Sequence, residues 1–245
     1  MMEDRQLENK IALVTGASRG IGRSISMALA AAGAQVILSA RTVQKLEHVR
    51  QEIEKAGGRA QVMPVDISQT EALMGLFGDI KKRFKRLDIL VNNAAIGIFG
   101  SIADTSREDL DKILDINFKS MFTACQQSFK LMMAQRSGFI INISSIMGVK
   151  AYKHQSIYAA SKHAVMGLTK ALAVEGQEYN IRVSAILPGG VDTDFISDAR
   201  PDLDRSVLIR PEDIAQTVLY LLALSPTAMV DQVIIRRFAS TPFSA

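Results

Sequence analysis

Tyr158 and Lys162 stand four positions apart in a stretch, Ser156–Glu178, whose apolar spacing reads as a helix. Residues at i and i+4 share one helix face, so the phenol and the ammonium are neighbours. A free phenol titrates near ~10, too high for efficient proton exchange at neutral pH. A nearby ammonium favours the phenolate and lowers that value. Such a pair can act as a general acid/base, an effect worth about 10²–10⁴ in rate. Alone, the spacing is common in helices and describes an exposed polar pair just as well.

Other reactive groups fall at the ends of apolar runs. One run ends Asn142-Ile143-Ser144-Ser145, another Asn92-Asn93-Ala94-Ala95, a third Pro188-Gly189-Gly190-Val191-Asp192-Thr193. In an open α/β sheet, chemistry sits outside the carboxyl ends of the strands. Ser145 is therefore placed where a hydroxyl can bond a substrate carbonyl. Met147 just beyond it and His154, four residues before Tyr158, are candidates for the edge of a substrate pocket. A surface histidine is the plain alternative for His154.

The first apolar run leads into Thr15-Gly-Ala-Ser-Arg-Gly-Ile-Gly22 and then a helix. Strand, glycine turn and helix start bring backbone N–H groups and a positive dipole end to one point. Gly16 permits the turn, Gly20 lets a pyrophosphate approach, and Gly22 lets helix and strand pack closely. Ser18, Arg19 and Ile21 complete the expected contacts of this loop. The second run ends Ser39-Ala40-Arg41. An acid at this place would grip the ribose of NAD and repel a 2′-phosphate. Ala40 and Arg41, with Arg19 nearby, instead favour NADP(H), because guanidiniums hold phosphate through charge-assisted bonds.

These loops need a scaffold. Apolar runs at Ile11–Val14, Gln35–Leu38, Gln61–Val65, Ile89–Val91, Phe139–Ile143, Arg182–Leu187 and Val233–Ile235 read as strands covered on both faces. Helical patterns lie between them: Arg23–Ala32, Val43–Ala56, Thr70–Phe84, Asp109–Gln135, Ser156–Glu178 and Pro211–Leu224. The alternation predicts an α/β fold: one doubly wound, Rossmann-type domain over residues 1–245. Its seven-stranded parallel sheet carries helices on both faces. Residues 190–210 form the expected substrate lid, with Gly190 and Phe195 toward the ligand, and 238–245 a C-terminal tail.

Composition narrows the function classes. The 245 residues are 48% hydrophobic and 22% charged, which excludes a disordered chain. The net charge of +4 is weak evidence for nucleic acid. The densest basic run, Lys81–Arg86, reads as the solvated end of a helix without a stacking platform. One cysteine, Cys125, allows no intramolecular disulfide, and three histidines offer no ligand spacing for a metal. The polar start has no signal-peptide core, and no apolar run is long enough to span a membrane. A cytoplasmic protein with no nucleic-acid or membrane partner is the expectation.

Taken together and in order, the glycine loop, Asn92–Ala95, the Ser145–Tyr158–Lys162 set and Pro188–Thr193 resemble the classical short-chain dehydrogenase/reductase family. The resemblance runs from about Lys10 to the last strand. It implies Tyr158 as catalytic acid/base, Lys162 as partner of the nicotinamide ribose, and Ser145 as the group that orients a carbonyl. It implies Asn117 as anchor of a relay water. Asp66 and Ile67 would meet the adenine, and Asn92 and Ala94 would line the cofactor. Pro188, Gly189, Val191 and Thr193 would hold the nicotinamide end. The implied activity is NADPH-dependent reduction of a ketone, especially a 3-oxoacyl carbonyl. Implied partners are a small carbonyl substrate, an acyl carrier protein met by basic residues such as Arg136, and further copies in a homotetramer or homodimer. Two departures stand out: Ala95 replaces the usual glycine, and the chain ends Ile234-Ile235-Arg236-Arg237 plus a tail instead of a strand and glycine pair. A non-catalytic NADP-binding sensor is the alternative. The complete Ser–Tyr–Lys–Asn set argues against it.

Overall fold

The computed structural model describes residues 6–199 and 204–242, with side chains left out at 197–199. Seven parallel strands run in the order β3-β2-β1-β4-β5-β6-β7. They are β1 (Ile11–Thr15), β2 (Gln35–Ser39), β3 (Arg59–Val62), β4 (Ile89–Asn92), β5 (Gly138–Ile143), β6 (Ile181–Pro188) and β7 (Gln232–Ile235). Helices α1 (Gly20–Ala31), α2 (Val43–Lys55), α3 (Thr70–Phe84), α4 (Arg107–Leu114), α5 (Ser120–Gln135), α6 (Ser156–Gly176), α7 (Asp194–Ala199) and α8 (Pro211–Ala223) fill the crossovers.

Successive strand residues point to opposite faces of a sheet, so a strand buried on both sides divides its apolar residues between two cores. Val14, Leu38, Val91 and Ile141 pack on one side against Ile25 and Leu29 of α1, Leu46 of α2 and Val218 of α8. Leu13, Ile37, Leu90 and Ile140 pack on the other against Leu73 and Phe77 of α3, Met132 of α5 and Val165 of α6. The amino edge is laced by Asp88, a buried carboxylate that accepts from the Ile11 amide (2.9 Å) and the Arg86 guanidinium. Every chain reversal at the other edge opens into the cleft described below.

Three boundaries differ from the sequence expectation. α1 begins at Gly20 instead of Arg23, because the glycine loop passes directly into helical geometry. β3 ends at Val62, although the Met63 and Val65 amides still donate to Leu38 and Ala40 carbonyls at 3.0 and 3.1 Å. The expected helix Asp109–Gln135 starts earlier, at Arg107, and is interrupted by a π-helical turn, Asp115–Lys119. Its start is capped: the Ser106 hydroxyl accepts from the Asp109 amide at 3.0 Å. The expected lid contains helix α7. Its residues 200–203, like 243–245 of the tail and the first five residues of the chain, lie outside the described residues. Among the described residues no helix is long and apolar enough to cross a membrane.

Leu38 is fully buried between β2's neighbours and the α1–α2 layer. Leu38→Ala is expected to lower the unfolding free energy by about 2–5 kcal/mol, read from urea denaturation at constant slope. A cost below about 1 kcal/mol would mean that this layer repacks freely.

Candidate functional site

The glycine loop is tied to the end of β4. The Thr15 hydroxyl accepts from the Asn93 and Ala94 amides (3.0 and 3.2 Å), and the Asn93 side chain donates to the Thr15 and Gly16 carbonyls (3.0 and 3.3 Å). Gly16 and Gly20 adopt positive φ (66° and 52°). A Cβ on Gly20 would stand 2.9 Å from the Thr193 methyl, and one on Gly22 2.2 Å from the Gly16 carbonyl oxygen. Glycine is therefore required here by both conformation and contact. Arg19 precedes α1 without a side-chain cap, so the helix's first amides remain available to a ligand.

The reactive cluster assembles where β5, β6 and α6 meet. Ser145 caps a short 3-10 turn, Ile146–Gly148: its hydroxyl accepts from the Met147 amide (3.1 Å) and faces the Pro188 carbonyl (3.5 Å). It also lies near enough to the Tyr158 phenol to pull the phenol's value down. Tyr158 and Lys162 are 7% and 2% exposed. The Lys162 ammonium lies 5.7 Å from the centre of the Tyr158 ring and donates to the Ile143 carbonyl at 3.3 Å. Burial pushes the phenol up to about 12, against a pull downward from the Ser145 hydroxyl. Burial brings the ammonium down to about 8. The expectation that Lys162 acidifies the phenol is thus corrected for this state. The amine points to the β5 carbonyl, and desolvation governs both groups.

Three predicted contacts do not face the cleft. Asn92 is buried and donates to Asn142 (2.9 Å) and the Cys125 sulfur (3.2 Å), bracing β4 against β5. Asn93 lines the cleft in its place. Asn117 is fully buried in the π-helical turn, where its side chain exchanges two hydrogen bonds with the Ile96 backbone (2.8 and 2.9 Å) and donates to Ser161 (3.2 Å). Both N–H donors of that side chain are thereby engaged within the protein, and its oxygen keeps one lone pair. Gly22 acts by packing alone.

The remaining predicted residues line one cleft of about 960 Å³ along the carboxyl edge. Gly16, Ser18, Arg19, Gly20 and Ile21 form the floor under β1. Ala40, Arg41, Asp66 and Ile67 lie toward β2 and β3, where Lys45 joins them. Asp66 accepts from the Ser68 amide (3.0 Å) and hydroxyl (2.8 Å), which with the nearby Arg41 charge hold its carboxyl below the usual range. Arg19 is engaged with Asp194 at 2.7 Å, so it does not pair with Arg41 as a preformed clamp. Ala94, Pro188, Gly189, Val191 and Thr193 follow toward the reactive cluster, and Met147, His154, Gly190 and Phe195 surround it. Phe99, Phe195 and Tyr158 form an aromatic cluster, with ring centres 5.3 to 6.4 Å apart. Arg136, the expected carrier-protein contact, donates to the Glu178 carbonyl (2.9 Å) and lies over the Tyr179 ring. Cys125 is buried and its thiol is pushed up to about 12, which makes it inert.

Sequence reasoning missed Asn93, Lys45, Phe99 and Arg237. Asn93 had a signal in its motif, and Lys45 sits one helical turn beyond Arg41. Phe99 and Arg237 reach the cleft through loop paths that no periodicity marks.

Residues 10–204 match the family model described as short chain dehydrogenase. The chain is 37% identical over 199 residues to a 3beta-hydroxysteroid dehydrogenase of Mediterraneibacter gnavus, covering 81% of this chain and 72% of the relative. It is 33% identical over 233 residues to a sepiapterin reductase of Chlorobaculum tepidum, covering 92% and 95%. A crystal structure of a metagenomic short-chain oxidoreductase in complex with NADP superposes with a TM-score of 0.85 at 33% identity, covering 96% of this chain and all of that one.

The buried amine gives a pH signature. With its folded value near 8 and its ordinary value at 10.5, Lys162 binds fewer protons folded than unfolded between these limits. Its contribution to stability therefore rises with pH across that window, and the burial penalty is complete below it. Tyr158 has the opposite sign, losing stability as pH climbs from 10 to about 12. Between pH 8 and 10 the ligand-free protein is expected to gain up to about 1 kcal/mol per pH unit relative to Lys162→Met, measured by urea midpoints. Parallel profiles would show that the amine is solvated.

Proposed function

Because the chain belongs to the short-chain dehydrogenase family of oxidoreductases, we propose that it reduces a ketone to a secondary alcohol with NADPH, using Tyr158 as proton donor. One observation carries this reading. Ser145, Tyr158 and Lys162 line the same cleft as the glycine loop, with Lys162 one helical turn from the phenol and the Ser145 hydroxyl pulling the phenol's value down.

The cleft suits a dinucleotide. Gly20 has no room for a side chain beside Thr193, and the uncapped start of α1 presents amides suited to a pyrophosphate. Arg41 and Lys45 line the end where an adenosine ribose would lie, and Ala40 offers no carboxylate to repel a 2′-phosphate. The NADP in the similar crystal structure supports the same choice. Lys162 would hold the ribose next to the nicotinamide, and Val191 and Thr193 would flank the ring. A bound reduced nicotinamide supplies the hydride.

The chain's own residues do the rest. Ser145 donates to the carbonyl oxygen and fixes its position. As the carbon accepts the hydride, Tyr158 passes its proton to the forming alkoxide. Phe99, Phe195, Met147 and Ile96 make the substrate end apolar, which favours a ketone with a hydrophobic body. The names of the two relatives, a hydroxysteroid dehydrogenase and a reductase, are consistent with alcohol–carbonyl chemistry.

Tyr158→Phe is expected to lower kcat for ketone reduction by about 10²–10⁴ while NADPH still binds, as followed by NADPH oxidation and cofactor fluorescence. Equal turnover would remove the phenol from the mechanism. Arg41→Asp is expected to weaken NADPH binding by about 10- to 100-fold and to spare NADH. An unchanged NADPH-to-NADH ratio would remove Arg41 from phosphate recognition.

A further inference from the structure

The chain does not leave the molecule after β7. The Arg236 guanidinium donates to the carbonyls of Arg237, Phe238 and Ser240 at 2.9–3.0 Å, and the Ser240 amide donates to the Arg237 carbonyl at 3.0 Å. This knot folds the segment back on the sheet edge, where the Gly189 amide donates to the Ile235 carbonyl at 2.7 Å. Arg237 and Ser240 thereby line the cleft. A Cβ on Gly190 would stand 3.5 Å from Cδ and 3.8 Å from Nε of Arg237, so the arginine lies along the glycine loop that follows β6.

Arg237 is half-buried, and its side chain has no hydrogen-bond or ion-pair partner among the described residues. The described carboxylates of the loop that follows Gly190 are engaged elsewhere: Asp192 with Arg205 (2.7 Å), Asp194 with Arg19 (2.7 Å) and Asp204 with Ser206 (2.7 Å). A guanidinium withdrawn from water without a carboxylate is compensated when an anion reaches it. Its position says which anion. In the strand order, β7 lies five intervals from β2, or about 24 Å at ~4.8 Å per strand. It lies four intervals from β1 and its glycine loop. Arg237 thus sits past the strands that carry Ser145, on the side away from Arg41 and from the expected pyrophosphate site.

We propose that Arg237 is a specificity residue that recognises a carboxylate on the substrate, so that the preferred ligand has an apolar body and an anionic end. The identity of that ligand as a ketone rests on the reductase reading above. The binding test does not.

The probes are 4-acetylbenzoate and its methyl ester, titrated calorimetrically into the NADP⁺-loaded protein, where no hydride is available. The parent is expected to bind the acid about 10- to 100-fold more tightly than the ester. Arg237→Met is expected to abolish that preference, and Arg237→Lys to keep part of it, because a point charge replaces the planar fork. Affinity for NADP⁺ alone is expected to change less than about twofold in both variants. Equal affinity for acid and ester in the parent, no binding of the acid, or a loss of NADP⁺ affinity in Arg237→Met would overturn the proposal. Oxidation of NADPH by the same two ketones is scored separately. An intact acid preference without turnover would sink the reductase reading and leave the role of Arg237 standing.

Discussion

A buried ammonium holding a strand-end carbonyl is the contact on which the cleft depends. Lys162 is 2% exposed and its amine finds the Ile143 carbonyl at 3.3 Å. Removing an ammonium from water is costly unless hydrogen bonds replace the lost hydration. Here one neutral carbonyl does so in part, and the residual cost appears as the drop toward 8. The helix that carries the amine must therefore dock against the carboxyl end of β5, and Tyr158 is fixed with it. Ser145 lies two residues past Ile143, just beyond the end of that strand, so phenol, hydroxyl and amine are positioned by one junction.

That junction is useful only because the sheet brings the glycine loop to the same edge. Parallel strands place all their carboxyl ends together, and the order reverses between β1 and β4, leaving a crevice between crossovers on opposite faces. Thr15 and Asn93 lace this crevice shut at the bottom through bonds of 3.0 to 3.3 Å. The loop glycines follow from the lacing. With Gly16 held against Asn93 and α1 drawn in behind it, a Cβ at Gly22 has no space. Helix packing and ligand access are thus met by the same residues.

This also explains what the sequence could and could not disclose. Runs such as Leu13-Val14 and Ile140-Ile141 feed two cores at once, so continuous apolar character marks a doubly covered strand and makes the sheet readable. The loops were readable where glycine, serine and tyrosine occur in a fixed order. Single-residue phase was not: Asn92 and Asn93 are chemically identical, and only the last turn of β4 sends one to Asn142 and the other to the glycine loop. The π-helical turn at Asn117 carries no special composition, and the Ile96 backbone that meets both ends of that amide lies 21 residues earlier in the chain. The direction of the Tyr158 shift depends on burial, which spacing along a helix does not report. Arg237 reaches the cleft only because Arg236 gathers three carbonyls around itself.

The two shifts act together on the chemistry. A general acid for reduction must hold its proton until the alkoxide forms, and burial keeps the Tyr158 phenol protonated well past neutral pH. A general base for oxidation must be ionised before the hydride leaves, which the same burial opposes. The nearby Ser145 hydroxyl moderates the effect, but it does not reverse it. The Lys162 ammonium, brought down to about 8 by the same burial, donates to the Ile143 carbonyl, so its partner in this state is the strand end and not the phenol. Desolvation, applied to a phenol and an amine one helical turn apart, thus favours the neutral form of both, the state in which Tyr158 still has a proton to give.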